Sequence, residues 1–375
     1  MIPCLNEALT LAGTISDCHQ GASACGVAYE IVVADNGSTD DSVDIALRHG
    51  ARVVNVLQRG YGAALQAGIK ATRGRFVLMG DADGTYCFDQ ASLFLEPLRH
   101  NVDLVMGNRF KGTIAYGAMP FLHRYLGNPV LSLVGRLLFG VSIGDFHCGL
   151  RAFRRRTYDE LNLCCSGMEF ASEMVIKASL RDMRIVEVPT DLRPNPPGRQ
   201  PHLRTWRDGW RHLKFMLSFS PRYAFLSLGL LFLIASLALY FAYALEWSVF
   251  TGATSLLVAG FLSFSACALF SDYVTTRFFF ARRYGSRVGR GGRMIDRLLT
   301  LRSGVDRLLR LSAACLVLGA VISILVWYAY ELRIYSTRAI AQWAFLASLL
   351  FSIGLFAYLT GAKISTLLAF QDRQD

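Results

Sequence analysis

Two acidic residues one position apart, Asp81 and Asp83, stand in G-D-A-D-G-T directly after the apolar run 75–79. If a strand carries on to this point, alternation places both carboxylates on one side. Like charges so close repel unless a cation lies between them. A hard divalent ion, Mg2+ or Mn2+, takes carboxylate oxygens on one side and phosphate oxygens on the other, so the pair is a candidate metal site for a nucleotide substrate. Alone, a D-x-D is more often a solvated turn; here two further polar clusters accompany it. One is Asp35-Asn36-Gly37-Ser38-Thr39-Asp40, where Asp35 can bind a base or ribose or else cap a turn, and where Thr39 and Asp40 read as caps. The other is Gly107-Asn108-Arg109, whose arginine has a planar fork suited to a diphosphate, with a surface salt bridge as the alternative. Gly60 and Gly62, in R-G-Y-G-A-A-L-Q-A-G, can bring backbone close to a ligand.

Farther along, the apolar stretch 114–143 is interrupted by Pro120, Gly127, Pro129, Gly135, Arg124 and Arg136, which argues against a spanning helix. A membrane-facing segment that helps receive a lipid fits it better than buried core helices. It leads into G-D-F-H-C-G-L-R-A-F, in which Asp145 and Arg151 are placed to face a reacting phosphate. His147 and Cys148 lack third and fourth ligands at zinc spacing, which rejects that pair as a metal centre. Glu169 and Glu173, four apart, share one helix face, and one of them is expected to reach the cleft.

The elements that must hold these groups are legible in the same stretch. Residues 30–34, 51–56, 75–79 and 102–106 read as strands alternating with helical patterns at 41–48 and 59–69. That order implies an α/β domain with a mainly parallel sheet and helices on both faces. Ligands of such sheets bind beyond the C-terminal strand ends, and all three polar clusters sit there.

Composition separates this domain from the rest. The 375 residues are 53% hydrophobic and only 18% charged, against roughly 25% charged in an ordinary soluble chain. Four apolar tracts, 223–245, 253–272, 311–330 and 341–361, are each long enough to cross or nearly cross a hydrocarbon core of roughly 30 Å. Residues 204–217 put Trp206, Trp210, Leu213 and Leu217 on one helical face and Arg207, Arg211 and Lys214 on another, as in an interfacial helix. Ten arginines fall within 277–310, while 246–252 has neither Lys nor Arg. The positive-inside rule then sets that loop, the N-terminal domain and both termini in the cytoplasm. The net charge of +11 is thereby read as topology signal and attraction to anionic membrane lipids. No nucleic-acid-binding module appears. The nine cysteines show no C-x-x-C spacing and read as small buried hydrophobes of a reducing compartment. No apolar run of signal type follows Met1.

The motifs P-C-L-N-E (3–7), A-D-N-G-S-T-D (34–40), R-G-Y-G-A-A-L-Q-A-G (59–68), D-A-D-G-T-Y (81–86), G-N-R (107–109), D-F-H-C-G-L-R-A-F (145–153) and V-P (188–189) occur together and in order. Over residues 1 to about 220 the chain resembles glycosyltransferase family 2, and within it the polyprenyl-phosphate and dolichyl-phosphate mannose and glucose synthases. The resemblance implies a GT-A fold, a nucleotide diphosphate sugar donor and a polyprenyl phosphate acceptor. It implies that Pro3, Glu7 and Asp35 line the nucleoside pocket and that Asp81 and Asp83 hold the metal and diphosphate. Arg109 would lie near sugar and phosphates, Arg124 near the acceptor phosphate, and Asp145 and Arg151 in the motif closing the acceptor side. Arg199 and Arg204 correspond to a mobile basic loop, here Pro-rich. Asn36 and Thr85 depart from the family pattern, which often has Asp and, in mannose synthases, Gln. Only Met1 and Ile2 precede Pro3, where the family has an apolar strand, so the expectation is a truncated first strand.

The expected architecture is therefore a GT-A domain over 1–200, an interfacial helix over 201–222, hairpins over 223–272 and 311–361, an Arg-rich loop over 273–310 and a tail over 362–375. The expected reaction is inverting hexose transfer at the cytoplasmic membrane face. Its alternatives are a lipid acceptor bearing a hydroxyl, with Asp145 as the base, and a non-catalytic membrane scaffold. No Q-x-x-R-W signature of a processive enzyme is present. A homo-oligomer is compatible with the sequence, which leaves assembly open.

Overall fold

A computed structural model describes residues 1–197, 205–245, 253–284, 302–332 and 337–371. The chain divides into two compact units, Met1–Phe219 and Ser220–Asp375.

In the first unit, short β-branched runs form strands flanked by helices. Strands β1 (Ile2–Cys4), β2 (Val32–Asp35) and β3 (Arg52–Asn55) form a parallel sheet. Helix α1 (Leu11–Ala24) follows β1, α2 (Ser42–Arg48) joins β2 to β3, and α3 (Tyr61–Ala71) leads to β4 (Phe76–Met79). Helix α4 (Ala91–Arg99) precedes β5 (Leu104–Asn108), and α5 (Asn128–Phe139) precedes β6 (Arg151–Arg154). Helices α6 (Arg155–Leu161) and α7 (Phe170–Leu180) come before β7 (Ile185–Pro189), and α8 (Thr205–Ser218) closes the unit.

The second sheet has the order β4-β6-β5-β7 and is mixed, with one antiparallel strand inside it. Strand β6 inserts antiparallel to both β4 and β5, and only β5 and β7 run parallel. The residues of β6, R-A-F-R, belong to a motif whose charged ends hide its strand character. Hydrogen bonds from the Met1 ammonium to the Leu78 carbonyl (2.8 Å) and from the Gly80 amide to the Met1 carbonyl (3.4 Å) join β1 to β4. Because β4 and β5 both oppose β6, they point the same way. Two buried layers hold the sheets: Leu65, Ile69, Met106, Phe153 and Phe170 in one, and Leu11, Ile15, Phe88, Phe94 and Val105 in the other. Each buried side chain of this size contributes roughly 1.5–3 kcal/mol.

The second unit contains α9 (Ser227–Ala244), α10 (Ala253–Tyr284), α11 (Arg302–Glu331) and α12 (Thr337–Gln371). Four candidate spans, Arg222–Ala244, Thr254–Phe280, Gly304–Glu331 and Ala339–Thr366, are long and apolar enough to cross a bilayer. Few of their side chains are buried inside the structure, which is consistent with a multi-pass membrane protein. Ser236 ties α9 to α10 through the Ala259 carbonyl (2.7 Å) and the Ser263 hydroxyl (2.8 Å), and Lys363 of α12 pairs with Asp272 of α10. Polar links of this kind hold helices together where lipid supplies no hydrophobic drive between them.

Candidate active site

Three of the polar motif loops follow β1, β2 and β4. Pro3 lies buried in β1 opposite Ala34, and Glu7 is buried beyond it with its amide on the Ser42 hydroxyl (2.9 Å). Asp35 ends β2, and its carboxylate accepts the amides of Gly37 (3.0 Å) and Ser38 (3.1 Å). That is the local turn geometry open to a short acidic side chain. Asn36 donates to the carbonyls of Val56 (3.2 Å) and Gln58 (2.8 Å) and accepts the Gly60 amide (2.8 Å), which fastens this loop to the glycine turn. Asp40 holds the start of α2 through the Ser42 amide (3.1 Å), while Thr39 bonds to Asn6 (2.7 Å).

Strand β4 stops at Met79, so Asp81 and Asp83 lie on a bend and not on one strand face. The bend is pinned from below, where Thr10 and Thr14 of the α1 start donate to the Ala82 carbonyl at 2.8 and 3.2 Å. Both carboxylates are half-buried. Tyr61, the first residue of α3, donates its hydroxyl to Asp81 Oδ1 at 2.8 Å. Burial first, and the Asp81 charge next, push the Tyr61 phenol well above its ordinary value, so it stays a neutral donor. Thr85 gives its amide (3.0 Å) and hydroxyl (2.6 Å) to Asp83 Oδ1. Thr85 therefore holds a carboxylate in place. Two oriented, half-buried carboxylates are a donor set that fits Mg2+ or Mn2+, both of which favour oxygen.

The wall opposite is the 144–151 loop. Arg109, beyond β5, makes a two-pronged ion pair with Asp145, Nε to Oδ2 at 2.6 Å and Nη2 to Oδ1 at 2.8 Å. Asp145 is fully buried, and its charge overcomes the opposing effect of burial to hold the Arg109 proton more tightly than usual. Arg109 was expected either as a diphosphate clamp or in a surface pair; the structure gives it a buried partner. Glu187 accepts the amides of Gly144 (2.7 Å) and Asp145 (2.9 Å) and pairs with Lys111 at 3.2 Å. The Gly149 amide donates to the Tyr86 hydroxyl at 2.7 Å.

Arg151 does not face the cleft as expected. It is fully buried and gives Nε, Nη1 and Nη2 to the carbonyls of Cys148, Ala171 and Phe146. Five donors in a rigid fork suit it to stitching this loop to α7. Beside it, Ser172 of α7 bonds to His147 (3.2 Å) and to His212 of α8 (2.8 Å). Burial, then His212, lowers the His147 pKa well below the usual range. Arg124 lies in a π-helical turn over 123–127 just ahead of α5, half-buried, with its guanidinium 5.5 Å from the Tyr125 ring centroid. The stretch 114–143 thus holds a short helix, and Phe121 and Tyr125 are strongly exposed (74% and 61%).

Glu173 in α7 and Glu169 just ahead of it each have a cationic partner. Glu173 is buried and accepts the Cys164 and Cys165 amides (3.1 and 2.9 Å) and the Lys177 ammonium (2.7 Å), which outweighs the burial that would otherwise raise its pKa. Glu169 stands before the first turn and pairs with Arg211 at 3.8 Å. Donor atoms of Cys164, Cys165 and Glu173 lie within 4.8 Å of one another, but Lys177 already supplies the cation there. Cys164 is exposed, which corrects the reading of all nine cysteines as buried.

Gly60 and Gly62 admit the chain's own backbone. A Cβ at Gly60 would stand 2.3 Å from the Ser166 carbonyl oxygen, and one at Gly62 2.2 Å from that of Cys165. Their close approach places Tyr61 over Asp81. The sequence reading missed Tyr61, Tyr86, Glu187, Ser172 and His212. Tyr61 and Tyr86 stand inside motifs it used, so a polar tip beside an acidic loop was the available signal. Arg199 and Arg204 lie outside the described residues.

The profile of glycosyl transferase family 2 matches residues 1–161. The chain is 32% identical over 257 residues to glycosyltransferase AglJ of Haloferax volcanii, covering 66% of this chain and 82% of that protein. The chain belongs to glycosyltransferase family 2. Two further relatives come from the same organism. The low-salt glycan biosynthesis hexosyltransferase Agl6 is 37% identical over 250 residues, 65% of this chain, and the match spans 59% of its own length. A dolichyl-phosphate hexose transferase is 32% identical over 162 residues, 43% of this chain and 69% of that protein. The residues matched by the family profile include the loops beyond β1, β2, β4 and β5.

Proposed function

We propose that this glycosyltransferase moves a hexose, glucose or mannose, from a nucleoside diphosphate sugar to a polyprenyl or dolichyl phosphate at the membrane surface, with inversion at the anomeric carbon. The observation that carries the reading is the juxtaposition of the Asp81/Asp83 bend with the 144–151 loop that anchors Arg109, in a chain with four apolar helices. Relatives whose names specify hexosyl transfer, one of them from dolichyl phosphate chemistry, support it.

The acceptor is a phosphate monoester, largely dianionic at neutral pH because its second pKa is near 6. It is already a nucleophile, so the site needs no general base. The task left to the protein is to hold two anionic groups together and stabilise the leaving diphosphate. Pro3, Glu7 and Asp35 shape the nucleoside end. Asp81 and Asp83 would hold a divalent cation, whose charge would offset that of the leaving diphosphate. Arg124, half-buried ahead of α5, receives the acceptor phosphate. Arg109 and Asp145 form a nearly neutral pair that fixes the wall between donor and acceptor, and Arg151 fixes the loop beneath it. A hydroxyl acceptor would demand a base, and Asp145, buried and held by both prongs of Arg109, is poorly placed to be one.

The test uses the full chain in membranes or detergent with labelled nucleotide sugars and polyprenyl phosphate. Asp83→Ala should abolish metal-dependent label transfer to the lipid phase, and full transfer by that variant would sink the metal assignment. The product's mass separates a phosphate-linked sugar from a sugar linked through a hydroxyl.

A further inference from the structure

Both oxygens of Asp81 meet residues that no catalytic motif reading requires. Oδ1 accepts the Tyr61 hydroxyl at 2.8 Å. Oδ2 lies over Gly149, where a Cβ would stand 2.8 Å from it. Tyr61 is itself fixed, because Gly60 and Gly62 on either side allow the Cys165 and Ser166 carbonyls to press on the start of α3. The Ala63 amide donates to that same Ser166 carbonyl at 3.1 Å. Gly149 is fixed in turn by its amide on the Tyr86 hydroxyl, five residues past Asp81. The carboxylate is thus oriented from two sides, by α3 and by the acceptor-side loop.

We infer that Tyr61 and Gly149 are positioning residues for the divalent cation, holding the Asp81 carboxylate in its ligating rotamer by one hydrogen bond and by the absence of a side chain. The inference rests on the reading of Asp81 and Asp83 as metal ligands. A carboxylate left to rotate would give back part of its affinity, since partners behind a metal ligand typically carry about 10–100-fold in metal binding. The arrangement also ties the two halves of the cleft. Any residue larger than glycine at 149 would push on Asp81, so the loop that carries Asp145 sets the shape of the metal site.

The experiment titrates Mn2+ into the full chain in detergent, with UDP and in a separate series GDP present, and reads free Mn2+ by electron paramagnetic resonance. Tyr61→Phe removes only the hydroxyl and should weaken Mn2+ binding about tenfold or more. Gly149→Ala should weaken it in the same direction. Thermal unfolding of Tyr61→Phe without metal should match the parent, which separates orientation from a general packing loss. In an Asp81→Ala background, adding Tyr61→Phe should change nothing further, because the hydroxyl acts through Asp81. If the parent binds Mn2+ and Tyr61→Phe binds within twofold of it, the inference is overturned while the metal reading stands. A loss of binding matched by lower metal-free stability, or persisting in the Asp81→Ala background, also overturns it. If the parent binds no Mn2+ with either nucleotide, the metal reading itself falls and takes this inference with it.

Discussion

Arg109 and Asp145 show how a residue's partner changes what its type suggests. An arginine after a strand end reads naturally as a phosphate clamp, but here two of its nitrogens are taken up by a carboxylate with no exposure to water. Removing one member of such a pair leaves a buried charge, at a cost of about 3–5 kcal/mol. Arg109→Ala should lower the unfolding free energy of the chain by that much in denaturant titration, and Asp145→Ala by a comparable amount. The double variant should cost much less than the sum, because neither charge is then stranded. His147 and His212 carry a second prediction. Burial lowers both pKa values below the ordinary 6.5, so the unfolded chain binds more protons than the folded one as pH falls. Their contribution to stability is complete above about pH 6.5 and is lost as pH drops toward the depressed folded values. Unfolding midpoints at pH 7.5 and 5.5 should show this acid loss, and His147→Asn should flatten it.

At the scale of elements, glycines separate local from distant causes. Gly62 sits in the first turn of α3 with the Cys165 carbonyl oxygen 2.2 Å from its absent Cβ, and a backbone carbonyl cannot step aside cheaply. Gly62→Ala should destabilise by about 1–3 kcal/mol, as overpacking does, and reduce transfer by displacing Tyr61. Gly13, exposed in α1 with nothing within 4 Å, should give the opposite result: Gly13→Ala should raise stability by about 0.5–1 kcal/mol in the same denaturant assay. This contrast also marks what the sequence can reveal. The strands after Glu30, Ala51, Arg75 and Val102 were legible because each is an apolar run that stops at a polar turn. The four apolar tracts were legible by length alone. Strand β6 was not, since R-A-F-R has charged ends and its arginines are satisfied only by carbonyls from other segments. Nor was the meeting of Asp81 with Tyr61 or of Asp145 with Arg109, because such pairings depend on a sheet order that periodicity does not encode. The roles of Glu187 and His212 depend on contacts 43 and 40 positions away in sequence. A linear reading has no signal for that.

For the whole molecule the decisive quantity is the distribution of charge around the four spans. The link 246–252 carries no Lys or Arg, whereas 277–310 carries ten arginines. Cationic side chains near a span resist translocation and hold their loop in the cytoplasm. With four spans, this charge pattern predicts that the N-terminal unit and the tail share that side, where a nucleotide sugar would be met. The first unit also presents apolar rings: Trp206 and Trp210 of α8 are 79% and 62% exposed, with Arg207 and Arg211 interleaved. Such a face suits headgroup depth, with rings among the acyl boundary and cations toward phosphate. The arrangement is tested by alkaline phosphatase, a reporter active only after export, fused in a bacterial host. Fusions after Ser248 should be active, and fusions after Met294 or Asp375 inactive. Activity after Met294 would place the arginine loop outside and would reverse the side on which transfer occurs. A phosphatase-inactive fusion at 248 that is full-length on immunoblot would instead show that the first hairpin does not cross, leaving α9 and α10 on the membrane without spanning it.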